Sequence, residues 1–283
     1  MEDPPRQHID FFMECVWQSK NFIRPHVILI YRSGVPDAML VGRLERAWID
    51  LRVGYFRMAR SPIRLISFSY GGPLGASRSE NAEAIVRLVM DSLRKGEADA
   101  AFFHSLNTDA PLYRNALRLP DALCRDHLLR PLNHDVMQLP VNVELMYRGL
   151  SQGLRAEIRR KRKKLLAEYR EGVKVRLFRD PAEVVALFPT LEGIARKTYQ
   201  RALGVRFEDN EQMRTRFRVS AQRGWLRVYL LTVNDRPCAF WTGSLYEGSF
   251  CSEEVGFDPE FSHFSPGTFL LSWVIEDLCA AGA

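Results

Sequence analysis

Phe257-Asp258-Pro259-Glu260-Phe261-Ser262-His263-Phe264-Ser265-Pro266-Gly267-Thr268 joins a run of strand-forming sequence to the last helical stretch of the chain. Ser265 stands where a helix N-cap is expected. Pro266 suits the first helical position because it has no N–H to leave unbonded. Gly267 allows a ligand to come close to the backbone, and the first-turn N–H groups of Gly267, Thr268 and Phe269 are expected to point out of the helix end. Such an end carries roughly half a positive charge and holds phosphate readily. The stretch therefore reads as a site for a pyrophosphate or carboxylate, against the plainer reading of a helix start alone.

Upstream, three strands are expected in close succession. Trp225 to Val233 turns at Asn234-Asp235, Pro237 to Tyr246 turns at Glu247-Gly248, and Ser249 to Gly256 leads into the loop. Downstream, a helix is expected from Pro266 to about Ala280. Before the meander, Asp180-Pro181-Ala182-Glu183 combines a capping Asp, a Pro at the first helical position and a Glu in the first turn, and two helical stretches follow to about Arg223. Val173-Lys174-Val175-Arg176-Leu177 alternates as a strand. Antiparallel strands delivered through a loop into a helix make an α+β arrangement.

Further upstream, Ser151 and Gly172 are expected to cap a helix at its two ends. Its apolar stripe would be Leu154, Ile158, Leu165 and Tyr169. The Pro-containing stretch from Pro131 to Pro140 reads as the connection between two halves. In the first half, Val27 to Tyr31 and Ala38 to Gly42 read as a hairpin about Ser33-Gly34, and Ile63 to Phe68 as a third strand. A loop at Gly71 to Gly75 leads to a helix starting at Ser79-Glu80 with the stripe Ala84, Val86, Leu88, Val89 and Leu93. Ala100 to Phe103 closes the half as a short buried strand.

Composition bounds the class. With 46% hydrophobic and 26% charged residues, the chain of 283 residues is too apolar for disorder and long enough for one large domain or two smaller ones. Its apolar runs fall short of the roughly 18 residues that would read as a membrane span. The start, Glu2-Asp3-Pro4-Pro5, lacks the basic and apolar regions of a signal peptide. Five scattered cysteines with no CxxC pair fit a reduced, cytoplasmic setting, and six histidines without close pairing give no metal site. The formal charge of +6 lies between Arg155 and Arg170, where eight Lys and Arg stand against Glu157 and Glu168, so the rest of the chain is neutral. This excludes a protein that coats nucleic acid with an evenly basic surface.

Leu150-Ser151-Gln152-Gly153-Leu154-Arg155-Ala156-Glu157-Ile158-Arg159-Arg160-Lys161, the hairpin Asn234-Asp235-Arg236-Pro237-Cys238-Ala239-Phe240, and Gly256-Phe257-Asp258-Pro259-Glu260-Phe261 followed by Ser265-Pro266-Gly267 carry a resemblance. Together they resemble the bacterial GNAT-type acyltransferases of the CelD-like and FemAB-like group, over residues 137–283 most clearly. The resemblance implies tandem GNAT-like domains with mixed, mostly antiparallel sheets flanked by helices. Residues 1–135 would be a degenerate first domain and residues 136–283 the acyltransferase domain. It also implies acyl-CoA, acetyl-CoA or another, as co-substrate. The backbone of Val255, Gly256 and Phe257 would then face the pantetheine, and the amides of Ser265, Gly267 and Thr268 the pyrophosphate. Ser265-Pro266-Gly267 stands in place of the usual Gln/Arg-x-x-Gly-x-Gly/Ala signature. GNAT folds continue past this helix with another strand, whereas the sequence stops at Ala281-Gly282-Ala283, so the second domain is expected to be incomplete.

Acyl transfer to an amine needs a base and a preorganised oxyanion donor. The candidate bases are Glu253, Glu254 and Asp258. Strand alternation would put Glu253 and Glu254 on opposite faces, and both also read as ordinary half-exposed strand carboxylates. Asp258 also reads as the cap of the Asp-Pro-Glu turn. His263 reads as a solvated loop residue and Cys251 as a packed thiol.

The successive cations Arg159 to Lys164 are too many for one helix face, so some must meet solvent. They read either as a solvated surface or as an attractor for an anionic partner at the Arg155–Arg170 helix: acyl-CoA, a lipid headgroup, an acidic polysaccharide or a tRNA acceptor stem. Aromatic residues suited to stacking bases are missing from 155–168, and no sequence-specific DNA binding is expected. The leading functional expectation is acyl transfer from acyl-CoA to an amine or hydroxyl of a small-molecule or carbohydrate acceptor, such as a cell-surface sugar or its precursor. The alternatives are FemAB-like aminoacyl transfer from aminoacyl-tRNA and a non-catalytic interaction protein on the same scaffold.

Overall fold

The computed structural model describes residues 13, 20–53, 56–68, 71–127, 131–133, 135–198 and 207–282. It divides into two compact units, residues 1–134 and 135–283. The division falls within the Pro-containing connection.

In the first unit, β1 (Phe22–Arg32) and β2 (Val35–Val53) form the expected hairpin. Ser33 and Gly34 turn it with positive φ, as a two-residue turn between right-twisted strands requires. β2 runs 19 residues, well past the arm seen in the sequence, and pairs along β3 (Phe56–Phe68). Arg43 and Glu45, which carry its polar face, form an ion pair with each other at 2.7 Å. β4 (Leu74–Gly75) adds a short bridge to β2, and β5 (Ala100–Phe103) lies parallel to β3. A parallel neighbour needs a crossover, and α1 (Ser79–Arg94) supplies it. The buried side of α1 is Ala82, Ile85, Val86 and Val89, whereas Leu88 is exposed. These residues pack on Ile28, Leu40, Leu44, Ile66 and Phe68 of the sheet, joined by Leu112 of α2 (Pro111–Arg118).

The second unit starts with α3 (Val143–Gly149) and the basic helix α4 (Gln152–Tyr169), which Ser151 caps by accepting from Leu154 N. At its other end the left-handed residue is Arg170, φ 42°, not Gly172. Gly172 instead lies against the Asn234 side chain, which would have to move to admit a Cβ there. Of the expected stripe only Leu165 is fully buried, and Leu154 is exposed. The front half of α4 therefore leaves its apolar residues outside the core.

β6 (Val173–Phe178), β7 (Leu226–Val233), β8 (Arg236–Tyr246) and β9 (Ser249–Phe257) form an antiparallel sheet in that order. Both of its tight turns use positive φ, at Asn234-Asp235 and Glu247-Gly248. α5 (Pro181–Lys197) opens on Asp180, whose carboxylate accepts from Ala182 N at 2.8 Å and Glu183 N at 3.2 Å. α5 and α6 (Glu211–Gln222) cover one sheet face through Phe188, Leu191, Phe217, Val228, Leu230 and Phe240. α4 and α7 (Pro266–Ala281) cover the other through Leu165, Tyr229, Leu231, Phe269, Leu270 and Val274. β7 sends alternate side chains into both cores, which explains its nearly unbroken apolar sequence. The architecture is α+β, with largely antiparallel sheets flanked by helices.

Candidate functional site

β9 ends the sheet, pairing with β8 on one side only among the described residues. Its pairing slips between Trp241 and Gly243, so that Thr242 stands opposite both Glu253 and Glu254. This is a β-bulge, which inserts one residue and breaks strict alternation. Thr242 Oγ1 holds it by accepting from Glu254 N at 3.1 Å and donating to Glu254 O at 3.3 Å. The expectation of opposite faces fails as a result. Glu253 and Glu254 both reach Arg216 of α6, at 3.2 and 3.6 Å. Glu253 also accepts from Ser244 Oγ at 3.1 Å and is 8% exposed, whereas Glu254 is 20% exposed.

Asp258 is placed apart from this cluster. Its carboxylate, 3% exposed, takes a bond from Lys197 Nζ at 2.6 Å and caps the 3₁₀ turn Pro259–Phe264 by accepting from Glu260 N at 3.1 Å. Of its two readings, the turn cap describes what it does in the fold. Beside it the Cys238 thiol is pushed up to about 12 by burial and by the Asp258 charge, which disfavours its thiolate. Cys251 is half-buried on β9 and belongs to neither core.

Val255 and Phe257 are half-buried and Gly256 is buried. A Cβ on Gly256 would lie 2.6 Å from the Phe240 ring, so glycine is required here by packing against the core.

The chain then passes through the 3₁₀ turn to Ser265, which adopts a left-handed conformation (φ 54°, ψ 55°). In that conformation its hydroxyl makes no cap bond to α7, contrary to the expected N-cap role. Its carbonyl does accept from Phe269 N at 3.1 Å, which takes that amide out of the expected set of free donors. The amides of Gly267 and Thr268 have no acceptor among the described residues, and the space where a Gly267 side chain would stand is open. His263 is exposed, and its carbonyl accepts from Lys164 Nζ of α4 at 2.8 Å.

The cations of α4 separate into distinct roles. Arg162 turns inward to Glu276 of α7, which also accepts from Tyr147 Oη of α3 at 2.8 Å. Lys161 pairs with Glu157 at 2.7 Å, and Lys164 lies over the Phe264 ring. Arg162 and Lys164 thus fasten α4 to the α7 end of the domain.

Arg216, Lys197 and Tyr147 escaped the sequence reading, because nothing local in their segments marks them. A signal did exist for Arg162. α7 is otherwise apolar, so its adjacent charges Glu276 and Asp277 needed partners. Asp277 finds Tyr229 Oη at 2.7 Å, and burial together with that carboxylate holds the phenol well above its ordinary range.

Residues 152–283 match the family model described as an acetyltransferase (GNAT) domain. Two solved structures align over 96% of the chain. FemX aligns at 13% identity, with a TM-score of 0.56 and 80% of its own chain covered. The C-terminal domain (DUF2156) of a putative lysylphosphatidylglycerol synthetase from Agrobacterium fabrum aligns at 14% identity, with a TM-score of 0.51 and 75% coverage. No curated protein matches the sequence. The two structural likenesses speak for the fold, and the family match agrees with the order of sheet, loop and helix over the same residues. Residues 152–283 are thus similar to GNAT-type acetyltransferase domains.

Proposed function

We propose that the second unit transfers an acyl group from an acyl-CoA, acetyl-CoA in the simplest case, to an amine or hydroxyl of a small or carbohydrate acceptor. The observation that carries this reading is the pair of amides at Gly267 and Thr268, which have no acceptor among the described residues, with open space at Gly267, where β9 delivers the chain into α7. Two free donors at the positive end of a 16-residue helix suit a pyrophosphate. Val255 and Phe257 lie along the outer strand that leads there, and a pantetheine arm would follow them. Bound acyl-CoA supplies the activated thioester. Within this reading Glu254, the most exposed of the three carboxylates, takes the proton of the acceptor. Arg216 holds it in position.

Calorimetric titration with acetyl-CoA tests the reading. The Cβ of Gly267→Glu enters open space, so the fold should persist while affinity falls by about tenfold or more through charge repulsion and lost access. Glu254→Gln should lower turnover and leave acetyl-CoA binding intact. Absence of binding heat in the unmodified protein, or an unchanged affinity in Gly267→Glu, would sink the proposal.

A second reading, aminoacyl transfer from aminoacyl-tRNA, draws on the structural neighbours, one of which carries a name denoting attachment of lysine to a phospholipid. Under it, a gel shift with aminoacyl-tRNA appears and acetyl-CoA gives no heat. The first unit is read in both cases as a degenerate GNAT-like partner domain.

A further inference from the structure

α3 and α4 enclose a groove of about 790 Å³. Its floor is aliphatic, formed by Val143, Ile158, Leu166 and Ala167. Its walls carry Arg148, Arg155, Arg159, Arg162 and Lys163, against the single acid Glu144. Arg162 is neutralised by Glu276, and Arg148 approaches Glu144 at 3.8 Å. Arg155, Arg159 and Lys163 make no ion pair among the described residues. They stand four residues apart, so successive turns of α4 raise one uncompensated cation each along the same wall.

This combination is unusual for a solvated helix. Leu166 is 41% exposed between unpaired cations, and Leu154 lies open one turn before Ile158. Cations alone would be at ease in water, and apolar residues alone would call for a protein core. An aliphatic floor under a line of cations matches a ligand with the same two parts, an anionic head and a hydrocarbon body. Nucleic acid would use the cations but leave the floor unused, because base stacking needs aromatic faces. The one aromatic side chain in the groove, Tyr147, is fixed by its bond to Glu276.

We propose that the α3–α4 groove binds an anionic phospholipid, with the phosphate held by Arg155, Arg159 and Lys163 and the start of an acyl chain laid over Ile158 and Leu166. Among the described residues no helix is long and apolar enough to cross a membrane, so contact with lipid would be made at the membrane surface. The inference does not depend on which activated donor the transferase domain uses.

Co-sedimentation of the full chain with phosphatidylglycerol-containing vesicles, against pure phosphatidylcholine vesicles, tests it. Binding is expected only to the anionic vesicles. The triple variant Arg155→Gln, Arg159→Gln, Lys163→Gln should lose about a hundredfold in affinity while its thermal melt stays unchanged, since all three side chains lie outside the core. Arg160→Gln, on the same helix but off the groove, should bind like the parent protein. Leu166→Gln should weaken the part of the binding that survives high salt, because that part comes from the floor. Equal binding to both vesicle types would overturn the proposal. So would an equal loss in Arg160→Gln and Arg159→Gln, which would reveal a diffuse charge effect. RNA that displaces the vesicles, with Leu166→Gln neutral in both assays, would assign the groove to nucleic acid instead.

Discussion

Arg216→Met is expected to destabilise the second unit by about 3 kcal/mol, the lower end for removing one member of a buried ion pair, because Arg216 keeps some solvent contact. The guanidinium stands between two carboxylates that the β9 bulge has turned toward α6. Without it, Glu253 remains 8% exposed, with Ser244 Oγ as its remaining neutral donor and Glu254 beside it. Like charges held together out of water raise the energy of the folded state, whereas in the unfolded chain both are hydrated. Methionine fills much the same volume, so the cost reports charge rather than a cavity. Urea denaturation of the variant measures it. Adding Glu253→Gln to the Arg216→Met background should recover a large part of the loss, because it removes the stranded charge. A double variant as unstable as the sum of the two single variants would show that these groups do not act as a unit.

Gly243→Ala should cost a similar amount, about 3 kcal/mol, at the upper end of ordinary overpacking. Gly243 faces Ser252 just beyond the bulge, and a Cβ there would stand 2.5 Å from the carbonyl oxygen of Cys251. That atom is backbone on the neighbouring strand, so relief requires β8 and β9 to move apart. The bulge that gathers Glu253 and Glu254 lies next to this pair, and the variant should lose the proposed acyl-transfer activity along with stability. Gly193→Ala serves as the control of opposite sign. Gly193 lies inside α5 with nothing within 4 Å of its added Cβ, so alanine should stabilise the helix by roughly 0.5–1 kcal/mol. Thermal melts of the two variants moving in the same direction would refute the account given for both.

Much of the second unit was legible because its signals are local. Asp180-Pro181 opens α5, Asn234-Asp235 and Glu247-Gly248 turn the meander, and Pro266 starts α7 within a residue of expectation. Caps and tight turns depend on neighbours a few residues away, so sequence alone suffices for them. The site was less legible. The prediction that Glu253 and Glu254 face apart follows correctly from alternation, but one inserted residue opposite Thr242 reverses it, and no composition cue in Ser252-Glu253-Glu254-Val255 announces a bulge. Ser265 has the residue type of a cap, yet its left-handed backbone turns the hydroxyl away from the amides it would have satisfied. The length of β2 was missed for a related reason. Its polar half is held by pairing with β3, which a single-strand pattern does not contain.

The basic segment shows the same division most clearly. The sequence by itself determined that the whole net charge of +6 lies between Arg155 and Arg170, and that the rest of the chain is neutral. It also determined the α+β class and the strand–loop–helix order on which the transferase reading rests. Only the tertiary structure decided which cations are used internally. Arg162 and Lys164 are drawn to Glu276 and to the carbonyl of His263, more than a hundred and nearly a hundred residues away in the chain, while Arg155, Arg159 and Lys163 are left along an open groove. Charge is a property of the residue and can be counted along a sequence. Its neutralisation depends on which distant groups the fold brings within a few ångströms.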